Sequence, residues 1–236
     1  MTHLNYHRYV KKTPDSTGHQ ENQFGYNPPM KTISILNDVL GPVMRGPSSS
    51  HTAGPYHIAT LARNLLGEKP LSARFTFDPN GSFGEVYHLQ GSDLGFAAGL
   101  TGMEMMDADF LQATELAAQK DIHIEFHVEK LADADHPNIV DIQMKGTSGK
   151  ELELRAISIG GGSVIINRLD GWPVSLNGGA FDVIAVTNAN QADVVERLLT
   201  GDNLLLEPTG SNTRAGNICW QVHRTALLSA AARKQL

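Results

Sequence analysis

Cysteine is nearly missing from this chain of 236 residues: there is one, Cys219. A single thiol closes no internal disulfide, which excludes a disulfide-stapled secreted domain. It cannot hold an iron–sulfur cluster alone, since about four cysteine ligands are normal. A structural zinc site built on two or more cysteines is excluded for the same reason. Metal chemistry would need histidine and carboxylates, or a second chain. Long apolar runs are missing too. No stretch approaches the roughly 20 residues needed to cross a bilayer, so no membrane partner is expected. The opening MTHLNYHRYVKKTPDSTGHQENQ lacks the apolar centre of a secretory signal. Basic excess is absent as well: 19 Lys and Arg stand against 25 Asp and Glu, for a net charge of -6. That balance argues against a nucleic-acid partner, which calls for a basic face, and fits a soluble, cytoplasmic protein. With 41% hydrophobic and 19% charged residues the chain has the composition of a folded protein.

Three regions are expected. Residues 1–30 are polar, carry His3, His7 and His19, and end in Asn27-Pro28-Pro29, which reads as a flexible N-terminal extension. Residues 31–170 hold helices first and strands after. Ile33 to Leu40 fits a short helix, and Tyr56 to Leu66 is a helix stopped by Gly67. Ser72–Phe77, Ile122–Val128, Ile139–Met144, Leu152–Ile159 and Ser163–Leu169 read as strands. Glu85 to Met103 reads as two short helices packed closely through their glycines, and Asp109 to Lys120 as another helix. The order predicts an α+β fold, with helices on one face of a mostly antiparallel sheet. Residues 171–236 read as a small α/β unit: strands at Phe181–Thr187, Leu204–Leu206 and Asn217–Val222, and helices at Ala192–Leu199 and Thr225–Lys234.

The richest stretch is Gly46-Pro47-Ser48-Ser49-Ser50-His51-Thr52-Ala53-Gly54-Pro55, a loop opening a helix. The first turn of a helix leaves N–H groups without partners. Ser and Thr cap them, and the same groups attract a carboxylate or phosphate. Both readings stand, a plain cap and an anion-ready loop, but three serines and a histidine exceed what capping requires. Ser50 and His51 do not make a hydrolase pair: neighbours in sequence point apart, and no G-x-S-x-G elbow is present. Asp78-Pro79-Asn80-Gly81-Ser82 reads as a turn that also presents N–H groups and an amide. Ser158-Ile159-Gly160-Gly161-Gly162-Ser163 lies between strands and reads as a bulged hairpin rather than a phosphate cradle. His123 and His127 face one side of a strand roughly 13 Å apart, too far for one metal. His57 and His88 have no partner at ligand spacing. Met103, Met105 and Met106 read as core filler, and Asp133 to His136 as a solvated loop.

The Gly46–Pro55 stretch resembles the signature of the beta chain, or beta domain, of iron–sulfur-dependent L-serine dehydratase (L-serine ammonia-lyase). The likeness runs from roughly Ile33 to Ser163. Asn37-Asp38-Val39-Leu40-Gly41-Pro42-Val43-Met44 is similar to the family's opening helix and loop. Gly81-Ser82-Phe83-Gly84 is similar to its Gly-rich segment, and Ile157–Gly162 to its closing strand and turn. The resemblance implies an α+β beta domain like the allosteric substrate-binding domain of some D-3-phosphoglycerate dehydrogenases. It implies a lyase subunit acting on L-serine to give pyruvate and ammonia, with an alpha chain as partner in an oligomer. The 4Fe-4S cluster of the holoenzyme is expected on that alpha chain. No catalytic residue and no metal ligand is carried over to this chain. The implied substrate- or effector-binding residues are Ser48, Ser49, Ser50, His51 and Thr52, with Asn80, Gly81 and Ser82 behind them. They would contact the substrate carboxylate where alpha and beta meet, or bind serine as a regulator; regulation is favoured, because this chain cannot supply the cluster. Residues from about Gly178 are similar in element order to a shortened ACT unit. Its first loop, Asn188-Ala189-Asn190-Gln191, lacks the usual glycine. A reading from another class is a stand-alone amino-acid-sensing module without catalysis.

Overall fold

Alternating apolar residues build the main sheet. The computed structural model describes residues 6–7, 45–178, 181–200 and 210–224. Six strands are β2 (Pro70–Phe77), β3 (His123–Val128), β4 (Ile139–Gly146), β5 (Glu151–Gly160), β6 (Ser163–Leu169) and β7 (Trp172–Leu176), in the order β3-β2-β4-β5-β6-β7. The pair β2–β3 is parallel and the other neighbours are antiparallel. One face carries Phe75, Phe77, Ile142, Leu154 and Ile166, all in the main core. Burying each such side chain contributes about 1.5–3 kcal/mol. The helices α1 (Gly54–Leu66), α2 (Ser82–Val86) and α3 (Ser92–Thr101) send Ile58, Leu65, Phe83 and Phe96 into the same core. The expected one-sided α+β arrangement is therefore present. A 3-10 turn (Ala108–Gln112) and α4 (Ala113–Gln119) extend it.

The opposite sheet face is polar. Arg155 is buried at 5% exposure and forks onto Asp141. Its Nε–Oδ1 distance is 2.5 Å and its Nη2–Oδ2 distance 2.7 Å, and Nη1 donates to the Ala132 carbonyl at 2.6 Å. The hydrogen bonds to Asp141 hold the guanidinium above its ordinary pKa, so it stays charged. His123 and His127 do share one side, and Glu125 stands between them. Both Nε2 atoms reach its carboxylate, at 3.0 and 3.1 Å. These bonds draw the Glu125 carboxyl below its ordinary pKa.

A second sheet contains β1 (Tyr6–His7), β8 (Phe181–Asn188), β9 (Gly210–Arg214) and β10 (Asn217–Arg224), in the order β1-β8-β10-β9, all antiparallel. Helix α5 (Ala192–Thr200) covers one side through Val195 and Leu199, against Val183, Ala185 and Val222. Ile184 and Cys219, on alternate positions, join the main core instead.

Several expectations change. The sequence reading assigns no element to Trp172–Leu176; the segment is an edge strand, where the missing N–H of Pro173 is tolerated. It pairs with β6, so the main sheet runs past residue 170. Strand β9 was also unforeseen. Met103 is buried as expected, whereas Met106 is 54% exposed. The hairpin at Gly160–Gly162 is bulged as expected, with a register shift between Ser158 and Gly160. The expected elements at Ile33–Leu40, Leu204–Leu206 and Thr225–Lys234 lie outside the described residues, as does the N-terminal extension apart from Tyr6–His7.

Two helices meet backbone to backbone. A Cβ on Gly95 would lie 2.5 Å from the Thr52 carbonyl oxygen, and one on Gly99 2.5 Å from that of Tyr56 and 2.7 Å from the Ala59 Cβ. Gly99→Ala is expected to destabilise the chain by about 1–3 kcal/mol, read as a lower urea midpoint at unchanged m-value. Asp141→Ala leaves a buried guanidinium uncompensated and is expected to cost about 3 kcal/mol; an unaltered midpoint would contradict the ion pair's role.

Candidate functional site

The Ser-rich stretch is not a loop. Ser49–Ala53 forms a π-helical turn running straight into α1, so the helix begins well before Tyr56. Ser48 is the N-cap residue in extended conformation, and its side chain makes no cap bond. Its carbonyl instead accepts from the N–H groups of His51 at 3.2 Å and Thr52 at 2.8 Å. The wide turn rotates the five residues to different sides.

His51 turns inward, 7% exposed, and is bound at both ring nitrogens. Nδ1 lies 3.2 Å from Ser48 Oγ and Nε2 lies 2.9 Å from Ser82 Oγ. Ser50 Oγ stands 3.4 Å from Ser48 Oγ. Phe83 closes the imidazole from below, edge to face with ring centroids 5.3 Å apart. Burial pushes the His51 pKa below its ordinary value. The neutral ring has one N–H, so one nitrogen donates to a serine hydroxyl and the other accepts from one. A neutral imidazole between hydroxyls can bind a polar ligand or take up its proton.

Ser82 reaches His51 because α2 sits directly on its neighbours. A Cβ on Gly81 would lie 2.8 Å from the Pro137 carbonyl oxygen, and one on Gly84 would strike that of Asp78. Asp78, 6% exposed, accepts from the N–H groups of Asn80 and Leu131, both at 2.9 Å. The Leu131 and Asn80 bonds, in that order, hold its carboxyl below the usual range. The backbone of the π-turn is held from α3: Ser92 Oγ donates to the His51 carbonyl at 2.7 Å.

Of the expected site residues, Ser48, Ser50, His51 and Ser82 come together. Thr52 does not: it is 1% exposed and donates to the Gln90 carbonyl at 3.0 Å, a structural bond. Ser49 lends its carbonyl to the Gly54 N–H. Asn80 is exposed on the turn, its N–H taken by Asp78, and Gly81 acts through its lack of a side chain. Sequence reasoning passed over Phe83, whose aromatic ring carries no chemical signal. It read Ser158 only as part of a bulged hairpin and Asn138 only as part of a turn; their Oγ and Oδ1 are buried without a hydrogen-bond partner. A Cβ on Gly54 would collide with Ser158. His57, unpartnered by sequence spacing, binds the Gly162 carbonyl at 2.6 Å and ties α1 to the Gly-rich hairpin. Among the described residues no three His, Cys, Asp or Glu side chains gather to hold a metal. Cys219 is buried, and its thiol is pushed up to about 11.

Fold and site define an α+β subunit that carries a desolvated histidine among serine hydroxyls at the end of its sheet. No family model matches the chain. It is 41% identical over 159 residues to a probable L-serine dehydratase beta chain of Bacillus subtilis (strain 168), covering 67% of this chain and 70% of that one. It is 33% identical over 173 residues to the L-serine dehydratase beta chain of Peptoniphilus asaccharolyticus, covering 72% of this chain and 77% of that one. The chain belongs to the L-serine dehydratase beta chain family.

The sign of the pH response follows from burial. The unfolded chain takes up a proton at His51 near pH 6.5, before the folded chain does. The stability from neutral His51 is therefore complete above about pH 6.5 and is lost as pH falls through the lower folded pKa. The His51 ring resonances should titrate with a midpoint below about 6.5. The stability gap between the natural chain and His51→Gln should narrow on acidification; a widening gap would contradict a desolvated neutral ring.

Proposed function

We propose that this chain is the beta subunit of a two-chain L-serine dehydratase and binds L-serine through Ser48, Ser50, His51 and Ser82. The observation that carries the reading is the neutral imidazole hydrogen-bonded at both nitrogens to hydroxyls. Hydroxyls and an imidazole suit the ammonium, hydroxyl and carboxylate of a small amino acid. The alpha chain is the partner in the enzyme, which works as a cytoplasmic oligomer. A 4Fe-4S cluster does not fit the residues of this chain. Its one cysteine is packed in the core as a protonated thiol, whereas a cluster ligand is an accessible thiolate. On this reading the cluster is a group of the alpha chain. What this chain does is local: the serine hydroxyls and the neutral His51 ring orient the amino acid. Whether bound serine is substrate or regulator is separated by kinetics.

The test is anaerobic co-expression with a cysteine-bearing alpha chain, followed by pyruvate formation from L-serine. The complex is expected to be coloured and active. Ser82→Ala is expected to raise the serine concentration for half-maximal rate about tenfold, equivalent to about 1.4 kcal/mol, with the complex and its colour retained. A loss confined to KM marks a substrate contact, and a loss of sigmoidal activation marks a regulatory one. An unchanged serine dependence in both Ser82→Ala and His51→Gln would overturn the site.

A further inference from the structure

We propose that a second cleft, at the end of α1 away from His51, binds a small multiply charged oxyanion. The cleft is open to solvent and has a volume of about 660 Å³, within the range of small-molecule sites. Its floor is apolar, formed by Pro70, Leu100 and Ile122. Its rim carries three cations, Arg63, Lys69 and Lys120. They come from three places, α1, the segment before β2 and the end of α4, and converge only in the folded chain. The one acid among the described lining residues is Glu68, and its carboxylate is already engaged by the N–H of Ser148 at 3.2 Å and its hydroxyl at 2.8 Å. Asp121, beside Lys120, is exposed and does not line the cleft. The rim is thus positive on a chain whose net charge is -6.

Helix ends account for part of this charge: Arg63 lies in the last turn of α1 and Lys120 is the C-cap of α4, where a cation is favoured. Lys150 Nζ donates to the Leu65 and Leu66 carbonyls at 3.1 and 2.8 Å, which caps α1. The Gly102 N–H closes α3 onto the Ala98 carbonyl. Arg63 lies against Gly102, where a Cβ would meet its guanidinium. A planar guanidinium flanked by two ammonium groups fits phosphate or a pair of carboxylates. The apolar floor adds room for a carbon skeleton, so a phosphate monoester is the ligand class favoured. Helix α1 spans the distance between this cleft and the His51 cluster, about 20 Å for its length. This proposal is independent of what the His51 cluster binds.

Inorganic phosphate and glycerol phosphate are the probes, titrated into the isotope-labelled full chain at constant ionic strength so that screening does not change. Saturable amide shifts are expected around Arg63, Lys69 and Lys120, larger in affinity for the monoester. Lys120→Gln, at an exposed position, is expected to weaken binding about tenfold, and Arg63→Gln with Lys120→Gln to abolish it. Three results would overturn the cleft: no saturation below about 10 mM, affinity unchanged in Lys120→Gln, or shifts confined to the Ser48–Ser82 cluster.

Discussion

The close approach of α1 and α3 governs the rest of the molecule. Gly95 and Gly99 let the two backbones touch where any side chain would intrude. That contact places Ser92 under the His51 carbonyl and the Gln90 carbonyl over the Thr52 hydroxyl. The π-turn is therefore clamped from one side by α3, and from the other by Ser158 against Gly54. A wide turn that would be marginal in water is held by packing rather than by its own hydrogen bonds. Small residues here are a geometric requirement of the site.

His51 inherits its chemistry from that clamp. Its ring sits on Phe83, and Phe83 belongs to the aromatic cluster with Phe77 and Phe96 that fills the sheet face. Desolvation keeps the ring neutral, and two hydroxyls satisfy it. The buried Ser158 and Asn138 oxygens lie at the same end of the sheet. Two polar groups that cost free energy when buried thus stand near the His51 cluster, while the opposite end of α1 carries the cationic cleft. Helices α1 and α3 run between the two ends, so either site bears on the same pair of helices.

The second sheet is joined to the first on more than one level. Ile184 and Cys219 enter the main core, and Gln221 binds both the N–H and the carbonyl of Ser175. Strand β8 is buried on alternate positions to both sides, towards α5 and towards the core. That double burial explains the nearly continuous apolar run Val183-Ile184-Ala185-Val186. It also explains why the lone thiol is inert: Cys219 is core packing, with its pKa raised by the absence of water.

Much was legible along the chain. Period-two alternation marked β2 and β3, because a half-buried strand must alternate, and turn residues set off β4, β5 and β6. Gly160–Gly162 and Asp170-Gly171 marked the turns, because positive φ favours glycine there. The Ser-His stretch pointed to the family. Other features were decided only by folding. Strand β7 forms because β6 offers it an edge, despite Pro173. Thr52 turns away from Ser48 and His51 because a π-turn, and not an α-turn or a loop, carries them. Ser82 meets His51 across 31 residues because Gly81 and Gly84 let α2 settle onto the Pro137 and Asp78 carbonyls. Local sequence determines which conformations a segment prefers; which side chains meet depends on how closely distant backbones can approach, and that is a property of the packed whole.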